Sequence, residues 1–243
     1  MKQKILVAGG TGYIGSHTTV ELQNAGYEVV IIDDLSNSNI EVLDGIERIT
    51  GIRPEFIKLD LKDKEGTREA LKAHPGIKGI ILFAASKAVG ESVQQPLKYY
   101  RNNVVTLVNL LELMPEFNIE GIVFSSSCTV YGQPDPENLP VTENAPCTVY
   151  GQPDELPVTE KAPIKKAESP YGNTKQINEE IIRDTIHAGA PFKSIILRYF
   201  NPIGAHPTAE IGELPNGVPQ NLIPYLTQTA MGIRKELSVF GDD

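Results

Sequence analysis

Three short patterns in this sequence hold residue types that can do chemistry. The first, Gly9-Gly10-Thr11-Gly12-Tyr13-Ile14-Gly15, follows an apolar run and opens an amphipathic stretch. It satisfies Gly10-x-Gly12-x-x-Gly15 and also Gly9-x-x-Gly12-x-x-Gly15. Glycines so spaced permit a tight turn, let backbone N–H groups approach a pyrophosphate and bring a helix close to its strand, with the helix N-terminus facing the anion. An acid, Asp33, closes the second apolar run, 18 residues after Gly15. A carboxylate there accepts hydrogen bonds from an adenosine ribose and repels a 2′-phosphate, which favours NAD over NADP. The plainer alternative is a solvated turn followed by two acids, Asp33 and Asp34. The strand–turn–helix context weighs against it.

The second pattern is Tyr171-Gly-Asn-Thr-Lys175, which places a phenol and an ammonium one helical turn apart on one face. Ser169 is a natural N-cap and Pro170 a natural first helical residue. A phenol titrates near 10 and is a poor base at neutral pH. A nearby ammonium and a cationic nicotinamide both stabilise its phenolate, so the pair can remove a hydroxyl proton while hydride leaves the same carbon. The third pattern is the run Ser125-Ser126-Ser127 at the end of an apolar strand. Ser127 there can hydrogen-bond the reacting oxygen. The competing readings are an exposed pair in a first helical turn and a serine-rich loop start.

Apolar runs at residues 4–8, 28–32, 55–59, 79–83, 121–125 and 194–199 read as strands, and most are nearly continuous, as buried parallel strands should be. Amphipathic stretches at 13–25, 64–73, 96–117 and 170–188 read as helices. This alternation predicts an α/β fold, a Rossmann-type doubly wound parallel sheet spanning residues 1–202. Residues 203–243 are expected to begin a small C-terminal substrate domain. The glycine turn and the serine run then fall at the carboxyl edge of the sheet, where such folds place their ligands.

Composition narrows the partners. With 22 Lys+Arg against 31 Asp+Glu the chain carries a formal charge of −9, the wrong sign for a nucleic-acid or anionic-membrane surface. No apolar stretch reaches the roughly 18 residues of a membrane span, and no secretory leader is evident. Two cysteines make no disulfide framework, and no Cys/His group has zinc spacing. A cytoplasmic, metal-free protein is expected.

One internal repeat stands out: CTVYGQPDPENLPVTENAP at 128–146 is followed by CTVYGQPDELPVTEKAP at 147–163. Eight of the chain's 18 prolines lie between Pro134 and Pro170, which marks that stretch as an irregular surface excursion; 128–168 reads as a duplicated loop insertion whose second copy, 147–163, is expected to be solvent-exposed. If the second copy took the first copy's place, Asn144-Ala145-Pro146 would replace the serine run, so Ser127 remains the candidate.

With these patterns in order, the chain resembles the extended short-chain dehydrogenase/reductases, and among them the epimerases of UDP-glucose and UDP-galactose. The residues that carry the resemblance are GGTGYIGSHT at 9–18, FAASKAVGESVQQPLKYYRNN at 83–103, FSSSCTVYG at 124–132, SPYGNTK at 169–175, LRYFNPIGAHP at 197–207 and PQNLIPYL at 219–226. The resemblance implies NAD-dependent inversion at C4 of a UDP-hexose through a 4-keto intermediate. It makes Tyr171 the base, Lys175 its partner and Ser127 the ligand of the sugar oxygen. It assigns NAD to Gly9, Gly12, Tyr13, Ile14, Gly15, Asp33, Asp34, Asn37 and Ser38, with Asp60 and Leu61 beside the adenine. Phe83, Ala84, Lys87, Asn102 and Phe200 complete the cofactor site. Asn201 and Asn221 would meet the UDP-sugar, with Ser238, Val239 and Phe240 near the uracil. The family also implies a homodimer paired through helices 96–117 and 170–188.

Three departures accompany the likeness. Ser127 and Tyr171 lie 44 residues apart, and removing one 19-residue unit leaves 25, about the family's spacing. Thr106 stands where the family usually has glycine. The sequence given stops at Asp243, where the family continues into its substrate domain. Two rivals remain: an NAD-binding fragment without turnover, and a nucleotide-sugar 4,6-dehydratase. The latter needs an Asp-Glu pair where Cys128-Thr129 stand.

Overall fold

A computed structural model describes residues 2–131, 164–219 and 221–238. In chain order the elements are β1 (Lys4–Ala8), α1 (Tyr13–Asn24), β2 (Glu28–Asp33), α2 (Val42–Thr50), β3 (Glu55–Lys58), α3 (Lys64–Ala73) and β4 (Ile77–Leu82). There follow α4 (Val89–Gln94), α5 (Pro96–Leu113), β5 (Gly121–Ser127), α6 (Pro170–His187), β6 (Lys193–Tyr199) and α7 (Leu222–Ala230). They group into two compact units, one of residues 1–83 and 202–243, the other of 84–201.

In the first unit four strands pair in parallel in the order β3-β2-β1-β4. Leu6, Val7 and Ala8 of β1 and Val30, Ile31 and Ile32 of β2 are buried. Strands covered on both faces have no solvent side, which is why these runs show no polar alternation. Val7, Val29 and Ile31 pack with Val20 of α1 and with Leu43 and Ile46 of α2. Ile211 joins the same cluster from the far end of the sequence. There Gly45 of α2 permits a backbone approach: a Cβ at this position would lie 2.5 Å from the Glu210 carbonyl oxygen. Arg48, one turn on, pairs with the Glu210 carboxylate at 2.6 Å.

In the second unit β5 and β6 pair in parallel from Gly121↔Lys193 to Ser127↔Tyr199. Ser169 caps α6 as expected, its Oγ accepting from the Gly172 N–H at 3.1 Å, with Pro170 in the first turn. Helices α5 and α6 are joined by buried polar groups. Asn103 Nδ2 donates to Thr174 Oγ1 and Asn178 Nδ2 donates to the Asn103 carbonyl, both at 3.0 Å.

The parallel βα alternation is the Rossmann-type fold that the sequence predicts. Several boundaries differ. β5 runs on to Ser127, so Ser127 is the last strand residue, because pairing with β6 continues through the serine run. α5 stops at Leu113, ahead of Pro115 and of Asn118 at φ +54°. β4 starts two residues earlier than the apolar run, at Ile77. Helices α2, α4 and α7 are additional to the sequence-predicted elements. The head of the first repeat, Cys128–Tyr131, is a 3-10 turn in which Cys128, Thr129 and Val130 are buried. Residues 132–163 of the repeat lie outside the described residues. Gln176 of α6 binds both sides of that stretch, its Nε2 donating to the carbonyls of Val130 at 2.7 Å and Lys165 at 2.5 Å.

Candidate active site

The glycine turn leaves β1 with Gly9 at φ +82°, where a side chain would be strained. The Gly9 N–H donates to the Ile32 carbonyl at 2.8 Å, and the Gly12 N–H returns to the Gly9 carbonyl at 3.2 Å. Gly12 is the N-cap of α1 and supplies no capping side chain. The first-turn N–H groups are thus available to an anion. A Cβ on Gly15 would stand 2.2 Å from the Gly9 carbonyl oxygen, so helix and turn meet without room for any side chain.

Asp33, at the end of β2, is already engaged. Its Oδ2 accepts from the Thr11 N–H at 3.2 Å, and its Oδ1 accepts from the Leu35 N–H at 2.9 Å and the Ser38 hydroxyl at 3.0 Å. Thr11 and Ser38 also share a hydrogen bond at 2.8 Å. The carboxylate thus ties the glycine turn to the loop after β2. Three donors on roughly four acceptor sites leave capacity for one more, as a ribose hydroxyl requires. Asp34 caps its own turn through the Ser36 N–H at 2.8 Å, and Asn37 is exposed. Asp60 and the buried Leu61 follow β3, and the Phe83 N–H binds the Ala8 carbonyl at 2.8 Å. Gly9, Asp33, Asp60 and Phe83 thereby follow the carboxyl ends of four adjacent strands. Tyr13 and Ile14 open α1; the Tyr13 hydroxyl donates to the Gly204 carbonyl at 2.6 Å, holding the returning segment.

Also in this unit, exposed Asn221 donates to Glu213 Oε1 at 2.6 Å and does not cap α7 with its side chain. Ser238 is exposed. Neither is brought to the strand ends by any of these bonds. Val239 and Phe240 lie outside the described residues.

In the second unit, Lys175 is 3% exposed. Its Nζ donates to the Ser125 carbonyl at 2.6 Å and lies 5.0 Å from the Phe124 ring centroid and 5.7 Å from that of Tyr171. Burial lowers its pKa from 10.5 to about 8, while the charge of Glu179 pulls the other way. It stays mostly protonated at neutral pH, so the Tyr171 phenol has a cation beside it. Ser127 is 8% exposed, and its Oγ accepts from the Thr129 N–H at 3.2 Å, leaving the hydroxyl proton to donate elsewhere. Asn102 Nδ2 binds Ser86 Oγ at 2.7 Å. Asn103 binds the Ser86 backbone at both ends, from N–H to Oδ1 at 2.8 Å and from Nδ2 to carbonyl at 3.0 Å. This anchors the loop that carries Ala84 and the exposed Lys87. Phe200 and Asn201 follow β6 and are exposed.

The sequence reading did not include Asn103, nor a buried group behind Lys175. Glu179 is fully buried, and accepts from Ser126 Oγ at 2.6 Å, Arg183 Nη2 at 2.6 Å and Arg198 Nε and Nη2 at 2.9 and 2.7 Å. Burial would raise its carboxyl, but hydrogen bonds from Arg198 and Ser126, with the charges of both arginines, hold it below the usual carboxylate range. The signal available in the sequence was its spacing, one turn beyond Lys175 on the same face.

A glycine cradle with an acid at the second strand end, and a serine, tyrosine and lysine set, define a nucleotide-cofactor protein of the α/β class. Residues 5–243 match the NAD dependent epimerase/dehydratase family, and the chain belongs to that family. Within it the chain is similar to UDP-glucose 4-epimerases. It is 48% identical to that of Bacillus subtilis over 239 residues, 98% of this chain and 64% of the relative. It is 44% identical to that of Mus musculus over 247 residues, 99% of this chain and 65% of the relative. The solved UDP-glucose 4-epimerase of Bifidobacterium longum, in complex with NAD+ and UDP, superposes with TM-score 0.88 at 40% identity, covering 99% of this chain and 66% of that one. The chain thus spans just under two thirds of the length of these relatives.

Proposed function

We propose that the protein binds NAD and interconverts UDP-galactose and UDP-glucose by inversion at C4. One observation carries the chemistry: a buried, cationic Lys175 held against the Ser125 carbonyl beside Tyr171, at the strand end that carries Ser127. The cofactor fits the glycine cradle, where a Cβ on Gly15 would meet backbone and Gly12 leaves the first turn of α1 uncovered. Gly9, Gly12, Gly15 and Asp33 would hold it, with Tyr13, Ile14, Asn37, Ser38, Asp60, Leu61, Phe83, Ala84, Lys87, Asn102 and Phe200 completing its surroundings. Bound there, NAD supplies a hydride acceptor and donor.

The chain's own residues do the rest. Tyr171 takes the proton of the C4 hydroxyl as that carbon is oxidised and returns it when the carbon is reduced on its other face. Lys175 lowers the energy of the phenolate and so brings a phenol into the working range of a neutral-pH base. Ser127 donates to the C4 oxygen and steadies it as hydroxyl and as ketone. Asn201, Asn221 and the 238–240 segment are the candidate contacts of the UDP-sugar. Cys128-Thr129, in place of an Asp-Glu pair, leaves the dehydratase reading without its acid, and the named relatives are epimerases.

The test uses purified protein: denature it, assay the supernatant for NAD, and assay intact protein for conversion of UDP-galactose. Released NAD with conversion in both directions is expected. Neither NAD nor conversion would refute the reading. Homodimerisation through α5 and α6 is part of the proposal, supported by the exposed Leu97, Val105 and Ile186 on those helices. A monomer by sedimentation at micromolar concentration would overturn that part. Among the described residues no helix is long and apolar enough to cross a membrane, and a cytoplasmic location accords with a nucleotide-sugar substrate.

A further inference from the structure

We propose that Glu179 is the positioning residue of the Tyr171–Lys175 pair: its buried carboxylate clips β5 beneath Ser127 and supplies the counter-charge that keeps Lys175 an ammonium. The inference rests on the epimerase reading for its catalytic meaning and on geometry for its substance.

Lys175 and Glu179 share one face of α6, and they bind consecutive residues of β5. Lys175 Nζ holds the Ser125 carbonyl at 2.6 Å, and Glu179 Oε1 accepts the Ser126 hydroxyl at 2.6 Å. Ser127 is the next residue and the last of the strand. The α6 face thereby fixes the strand end from which the sugar ligand projects. The carboxylate itself cannot swing. Four donors, from Ser126, Arg183 and both sides of the Arg198 fork, fill its roughly four acceptor sites.

The electrostatic half follows from burial. An ammonium as enclosed as Lys175 is disfavoured unless a negative charge stands near it. Among the described residues, the ionisable groups facing the pair are Glu179 on α6, Tyr99 of α5, which interacts with Tyr171, and, through Glu179, Arg183 of α6 and Arg198 of β6; the contacts of Lys175 on β5 are the Ser125 carbonyl and the Phe124 ring. Of these, Glu179 supplies the charge that favours the ammonium. Hydrogen bonds and charge from Arg198 and Arg183 hold Glu179 ionised. With Glu179 neutral, Lys175 would lose its proton at lower pH and Tyr171 would lose its cation in the range where it must act.

The test follows the Lys175 ammonium by side-chain NMR on the full chain, assigned with Lys175→Ala, beside the pH profile of kcat. Glu179→Gln should move the Lys175 titration down by about one pH unit or more, and the alkaline limb of kcat should fall with it. Glu179→Asp keeps the charge and should leave the titration within a few tenths of the parent's. A merely structural role would destabilise both variants and move neither titration. Since Glu179→Gln leaves Arg198, its side chain 14% exposed, without its carboxylate, Arg198→Gln is the opposite-sign control: it removes a cation and leaves Glu179 paired with Arg183, so the Lys175 titration should not move down. An unmoved Lys175 titration in Glu179→Gln, or a downward shift in Arg198→Gln, overturns the proposal. If the parent lacks epimerase activity while the shift appears, the positioning role is supported and the epimerase reading fails. If the parent is active and the titration does not move, only the role of Glu179 fails.

Discussion

Replacing Gly15 by alanine tests whether the turn after β1 is a steric requirement or a tolerant loop. The added Cβ would lie 2.2 Å from the Gly9 carbonyl oxygen, 2.8 Å from Gly10 Cα and 3.0 Å from the Gly9 carbonyl carbon. Ordinary contact begins at 3.4 Å, so turn and helix must separate by 3.4 − 2.2 = 1.2 Å. All three obstacles are backbone, and Gly9 is pinned by its bond to Ile32 at 2.8 Å and by the return bond from Gly12 at 3.2 Å. No rotamer change relieves such a clash. Overpacking of this kind costs about 1–3 kcal/mol, which in a chain of this size lowers Tm by roughly 2–12 °C. If separating the turn from α1 costs the same amount in binding, NAD affinity falls roughly 5- to 150-fold. Gly12→Ala is the control, since its Cβ would meet only the Gly9 oxygen, at 3.3 Å. Its stability cost should stay under about 1 kcal/mol, the scale of an altered N-cap. Thermal unfolding without cofactor and calorimetric titration with NAD measure the two quantities. A Gly15→Ala protein that melts within about 1 °C of the parent, or a Gly12→Ala protein that is the less stable of the two, would refute the steric reasoning.

Three further outcomes are expected. Tyr171→Phe keeps the ring and removes the proton acceptor, so NAD binding should persist while kcat falls by about 10²–10⁴; parent-like turnover would remove Tyr171 as the base. Lys175 titrates near 8 in the fold against 10.5 outside it, so between those values the unfolded chain binds more protons and stability rises with pH. The cost of the buried charge is fully present below 8 and relieved toward 10.5. Lys175→Met should therefore be the more stable protein near neutrality, by up to roughly 3 kcal/mol less the lost bond to Ser125, with the gap closing as pH rises. A gap in urea unfolding that does not change with pH would contradict this. Deleting one 19-residue repeat shortens the span between Val130 and Lys165 from 34 residues to 15, and since Gln176 holds both carbonyls the loop-entropy gain is only about 0.7 kcal/mol. NAD affinity should stay within a few-fold, and a deletion that abolishes it would show the repeat to be integral to the site.

What the sequence determined by itself was local. Parallel strands buried on both faces must be apolar throughout, so β1 and β2 were legible as runs. The spacing of Gly9, Gly12 and Gly15 carried the turn because each glycine answers to backbone atoms within a few residues of it. Ser169-Pro170 announced the start of α6 for the same reason, and with it the shared face of Tyr171 and Lys175. The tertiary structure decided whatever depends on residues far apart in the chain. Ser127 became a strand residue only because Tyr199 pairs with it. Gly45 has its meaning only against Glu210, and Asn103 only against Ser86 and Thr174. Nothing in the order of residues shows that Glu179 gathers Ser126, Arg183 and Arg198 around one buried carboxylate. A helix period places Glu179 on the face of Lys175, but it does not say what that face meets. Burial fixes which charges are costly, and the partners that offset the cost arrive from other strands and helices only once the chain has folded.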